Sequence, residues 1–78
     1  MDARTVRETV IKPKLVEIFG NVMASSLLVK AIGAGGKGTT EQERLQLMID
    51  AICSDPKVIG MWGAARAVKQ KQEWMNLL

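Results

Sequence analysis

Gly33-Ala34-Gly35-Gly36-Lys37-Gly38-Thr39-Thr40 separates two apolar halves of this chain and nearly spells a phosphate-binding loop. That loop needs a glycine, four further residues, then Gly-Lys followed directly by Ser or Thr, whose hydroxyl reaches the magnesium ion. Here Gly36-Lys37 is followed by Gly38, and the position five before Gly36 is Ala31. A phosphate loop also leaves a strand, whereas Val22 to Ile32 has the pattern of a helix. Residues 33–39 are therefore expected to form a flexible Gly-rich connector, with Gly33 in the left-handed position just past a helix end. Exposed amides beside Lys37 are at most a weak attraction for an anion.

The chain has 78 residues, 47% of them apolar, which is too apolar for disorder and large enough for one helical domain over 1–78. A core of this size contributes only about 3–5 kcal/mol. Cys53 is the only cysteine, so no intrachain disulfide can form, and no ligand cluster offers a structural metal. Association with another chain is the remaining source of stability, and a homo-oligomer is expected. The lone cysteine and the acid-led start Met1-Asp2-Ala3-Arg4-Thr5 point to the cytoplasm. The longest apolar stretch, Val22 to Ile32, is interrupted by Ser25, Ser26 and Lys30. It falls far short of the roughly 20 residues needed to cross a bilayer, so no membrane partner is expected.

Histidine and tyrosine are absent. That removes imidazole as general base, metal ligand and triad member. Glu41 and Glu43 are accounted for by a helix start, where acids offset the helix dipole. Cys53 sits on an apolar stretch and reads as a buried, inert thiol. The expectation is a non-enzymatic protein with no catalytic residue, cofactor or metal.

Along the chain, Thr5 to Ile11 is rich in β-branched residues yet fits a helical face equally well, so residues 1–12 read as an arm or short helix. Pro13 interrupts any helix running through it. Leu15, Ile18, Phe19 and Val22 then line one helical face, with a weak point at Gly20-Asn21 that kinks or splits the helix. Beyond it the segment to Ile32 is apolar almost all round, which demands cover on more than one side. Thr40-Glu41-Gln42-Glu43 is a capping box, and Leu45, Met48, Ile49 and Ile52 repeat the helical spacing. Ser54-Asp55-Pro56 ends that helix and caps the next.

The final segment, Pro56 towards Leu78, carries a strip of small residues (Gly60, Gly63, Ala64, Ala67) that suits close helix packing or, with two glycines so near each other, a break. Val58, Met61, Trp62, Ala65 and Val68 are assigned to the core, as is Met48. The apolar end (Trp74, Met75, Leu77, Leu78) is expected to dock on a protein partner, with Arg66, Lys69 and Lys71 guiding an acidic one. The net charge is +3, all of it in residues 1–38. A nucleic-acid surface built from those three residues with Arg4, Arg7, Lys12 and Lys14 is the second reading. The comparison with a helix-turn-helix is poor, however, since the start of its second helix, Lys57-Val58-Ile59-Gly60-Met61-Trp62, is mostly apolar. Together these observations predict an all-α, compact bundle of three to four helices, dimeric, serving as a protein–protein interaction or regulatory module.

Overall fold

The computed structural model describes residues 2–78, and the described residues are helical with no strand. The elements are α1 (Ala3–Val6), a π-helical turn (Arg7–Ile11), α2 (Lys12–Gly35), α3 (Glu41–Ser54), α4 (Pro56–Trp62) and α5 (Ala64–Asn76). Counted as one stretch across a kink at Gly20, the run from Ala3 to Gly35 brings these to four helical stretches in a compact globule. Residues 3–12 are therefore helix, neither extended nor irregular. Asp2 starts the helix by accepting from the Thr5 amide at 2.8 Å. Pro13 is carried inside the helix directly after the π turn. Its ring and missing amide hydrogen disrupt the normal i→i−4 ladder, and the wider turn accommodates that disruption.

The continuous run of 33 residues from Ala3 to Gly35 is long and apolar enough, by length and composition alone, to cross a membrane. Straight, it would measure about 50 Å at 1.5 Å per residue, whereas the longest dimension of the molecule is 30 Å. The discrepancy is resolved at Gly20, whose φ of 81° and ψ of 167° lie outside any helix. That backbone region is open essentially to glycine alone. The chain folds back there, and the arms 3–19 and 21–35 share one core, in which Val6, Ile11 and Leu15 join Ala24, Leu27 and Ala31.

Gly63 does the same thing 43 positions later, with φ 86° and ψ 150°. The match extends to sequence. Pro13-Lys14-Leu15-Val16-Glu17-Ile18-Phe19-Gly20 aligns with Pro56-Lys57-Val58-Ile59-Gly60-Met61-Trp62-Gly63. Burial follows the same register: Leu15 with Val58, Ala24 with Ala67, and Ala31 with Trp74 are all buried pairs. Phe19 and Trp62, the residues before the two glycines, pack on each other with ring centroids 5.7 Å apart. The chain is thus an internal repeat of helix, Pro-led helix, glycine corner and helix. Its two corners meet through their aromatic residues.

Between the halves, α2 packs most extensively on α3. The helix does not end at Gly33, as the loop composition suggested. It continues to Gly35, and Gly33 keeps a negative φ. What requires glycine is the contact with α3, because a β-carbon at Gly35 would lie 2.9 Å from both Arg44 O and Met48 Cγ. Thr40 Oγ1 accepts from the Glu43 amide at 3.1 Å, as a capping box requires. The Glu43 carboxylate, however, reaches Thr39, accepting from its hydroxyl at 2.6 Å and its amide at 3.0 Å. Those bonds hold the Glu43 carboxyl below its ordinary range. A lowered carboxyl stabilises the fold above its unfolded-state value, and that contribution fades as pH falls through the lowered one. Asp55 accepts from the Lys57 amide at 2.8 Å to start α4, and also pairs with Lys30 at 3.5 Å.

Two glycine-to-alanine exchanges should have opposite signs in chemical denaturation. Gly63→Ala forces a side chain into the corner conformation and is expected to cost roughly 1–3 kcal/mol. Gly60 lies inside α4 with open space above it, so Gly60→Ala should stabilise by about 0.5–1 kcal/mol. Equal effects from the two would contradict the corner at residue 63.

Candidate interaction surface

The anchor expected at the C-terminal end is not available for docking. Trp74 is 2% exposed and its ring packs at 6.2 Å from that of Trp62, which in turn meets Phe19. The cause is helical register: Trp74 lies two turns after Ala67 on the inward stripe of α5, where the small alanine admits a close neighbour and the large indole fills the space beyond. Met75, Leu77 and Leu78 are half-buried against the same core, so the tail docks on its own chain.

The basic cluster divides as well. Lys71 forms an ion pair with Asp50 of α3, while Arg66 and Lys69 are exposed on the other side of α5. Residues two apart on a helix do not share a face, which is why Lys69 and Lys71 separate. The small-residue strip is not a close-packing seam within the chain. Gly60 has open space where a β-carbon would stand, Gly63 is a corner, Ala64 is exposed, and only Ala67 is buried. Of the final-segment residues assigned to the core, Val58 is buried and Trp62 half-buried, but Met61, Ala65 and Val68 face solvent. The corner at Gly63 rotates α5 out of the register that an unbroken helix would have kept.

Large apolar groups are exposed elsewhere, on the arm 21–35. Val22 is 87% exposed and Val29 70%. At helical spacing they alternate with Ser26 and Gly33, also exposed, to make a stripe of Val22, Ser26, Val29 and Gly33. The internal repeat supplies a direct comparison. The equivalent stripe of α5 is Ala65, Lys69, Gln72 and Asn76, likewise exposed but mostly polar. Two faces with the same place in the architecture thus differ in character, with Val22 in place of the smaller Ala65, Ser26 in place of Lys69, Val29 in place of Gln72 and Gly33 in place of Asn76. By its sequence, 22–32 is too apolar to stand alone. The four residues that form the face are identified only by the register the fold imposes.

Cys53 is buried against this core, and burial pushes its thiol up to about 11, against a smaller opposing effect from Lys71. Among the described residues no group of three or more His, Cys, Asp or Glu side chains is placed to hold a metal ion. Comparison of the chain with models of known protein families, with curated proteins and with solved structures finds no match.

The raised thiol value has two measurable consequences. The shift from 9.0 to about 11 leaves about 100-fold less thiolate at pH 8 than in the unfolded chain, so maleimide should label the native protein far more slowly than the denatured one. Because the folded value is the higher, the contribution to stability is full below pH 9 and is lost as pH rises towards 11. Equal labelling rates in the two states would contradict the burial.

Proposed function

We propose that this protein is a non-enzymatic protein–protein interaction module whose contact face is the Val22–Ser26–Val29–Gly33 stripe, and that its first partner is a second copy of itself. The observation that carries this reading is the pair of exposed valines on a face whose repeat-related counterpart has Ala65 and Gln72 in their places. Leaving them in water forgoes burial worth about 1.5–3 kcal/mol for each valine.

The pattern favours self-pairing. Large and small residues alternate along the stripe, and 22 with 33 and 26 with 29 are symmetric about one point. In an antiparallel pair related by a two-fold axis through that point, Val22 of each copy faces Gly33 of the other, and Ser26 faces Val29. Each layer then opposes a large side chain to a small one, which permits close helix approach, and a two-fold contact is self-complementary by construction. No charge lies on the stripe, so nothing within it opposes the pairing. Arg66 and Lys69 stay free on α5 for an acidic partner.

Sedimentation equilibrium tests this. The wild-type chain is expected to dimerise, and Val29→Lys to abolish the dimer while leaving helix content unchanged, because Val29 makes no core contribution. A wild-type chain monomeric up to about 1 mM, where about 4 kcal/mol of association would half-populate a dimer, would refute self-pairing.

A further inference from the structure

The start of α1, the end of α2 and the first turns of α3 enclose a cleft of about 370 Å³, within the range of small-molecule sites. Ile32, Leu45 and Met48 form an apolar wall, and Arg4, Arg7 and Arg44 stand around it with a single acid, Glu41. Three arginines and one glutamate give the lining a formal charge of +2, and Glu8, paired with Arg7 but outside the lining, reduces the local sum to +1. Ile32 is 56% exposed and lies to one side of the valine stripe, so the cleft gives a separate account of its exposure.

Arg44 is held in an unusual way for a surface residue. A β-carbon at Gly38 would lie 2.7 Å from Arg44 N and 2.9 Å from its Cγ, and one at Gly35 would lie 2.9 Å from its carbonyl oxygen. The chain from Gly35 to Gly38 is therefore wrapped around this one residue, and glycine at both positions lets the backbone approach it. Arg44 Nε donates to Gly38 O at 3.2 Å, and Arg7 Nε donates to Glu8 at 3.2 Å. Among the described residues neither guanidinium makes a hydrogen bond through its terminal amino groups, which are the fork that grips phosphate oxygens in pairs. Tethering at Nε reduces the rotamer entropy that capture of an anion would otherwise cost.

We propose that this cleft binds a phosphate monoester with a compact apolar body, its phosphate on the arginines and its body against Ile32, Leu45 and Met48. A monoester carries about −1.5 to −2 charge at neutral pH and three acceptor oxygens, enough to engage more than one guanidinium at once, whereas a carboxylate offers two oxygens. The apolar wall distinguishes such a ligand from free phosphate and from a nucleic-acid backbone. The inference stands apart from the self-pairing stripe and does not depend on it.

The test is an NMR titration of the ¹⁵N-labelled full chain with hexyl phosphate, inorganic phosphate, hexanol and a random-sequence DNA duplex. Hexyl phosphate is expected to give saturable shifts centred on Gly35, Gly36 and Arg44. Inorganic phosphate should bind at least about tenfold more weakly, since it buries no apolar body, and hexanol should not saturate. The double variant Arg4→Gln/Arg7→Gln, with helix content checked by circular dichroism, should weaken hexyl phosphate by about tenfold or more through loss of charged hydrogen bonds. Arg44→Gln, which keeps a donor for Gly38 O, should do the same. Hexyl phosphate binding no tighter than inorganic phosphate would overturn the proposal. So would unchanged affinity in both variants, which would leave Arg44 a purely structural clasp for the loop. Displacement of hexyl phosphate by duplex, with an affinity falling steeply in salt, would assign the arginines to nucleic acid instead.

Discussion

Glycine at positions 20 and 63 adopts a backbone conformation that other residues reach only under strain, and the rest of the architecture depends on those two corners. Without the first, the run from Ala3 to Gly35 would be one rod about 50 Å long, with its apolar residues distributed around it and no second arm to cover them. With it, the two arms close on each other and present a joint surface to α3. The corners then support one another, because Phe19 and Trp62, each just before its glycine, pack together, and Trp74 completes the row. An aromatic clasp between two equivalent turns thus packs against the core, with Phe19 and Trp62 half-buried and Trp74 within it.

Small residues do the complementary work at the helix contacts. Ala24, Ala31 and Ala67 are almost completely buried, and Gly35 meets the backbone of α3 at a distance no side chain tolerates. A chain of 78 residues has few large side chains with which to fill a core. Bringing backbones close gains dispersion contacts over many atoms instead. The same economy accounts for Gly35 at the end of α2 and Gly38 in the connector, which allow close contact with Arg44 and Met48.

The two surfaces singled out for function leave the same helix end in different directions. Gly33 belongs to the outward stripe, Ile32 to the arginine-rimmed cleft and Gly35 to the floor against α3, and successive residues around a helix have no choice but to diverge in this way. The repeat gives the stripe its meaning, since the second half shows how the same face is composed when water covers it. The cleft has a counterpart too, lined by Gln46, Leu47, Asp50 and Met75, where Leu47 and Asp50 stand in the places of Arg4 and Arg7.

Composition and spacing alone determined that the chain is helical, that Gly20 is a weak point, that Thr40 starts one helix and Ser54 or Asp55 the next, and that 22–32 is too apolar for a solitary helix. Each of these rests on local chemistry: hydrophobic period, side-chain caps and the conformational freedom of glycine. Tertiary structure decided the rest. Whether Gly63 packs closely or breaks the helix depends on the space around it, and whether Trp74 points outward or inward depends on the register that Gly63 resets. Whether Gly33 or Gly35 is the indispensable glycine depends on where α3 lies. The repeat is visible in the letters only once the two corners identify which residues to compare, because three-dimensional equivalence constrains burial and backbone angle more tightly than it constrains side-chain identity.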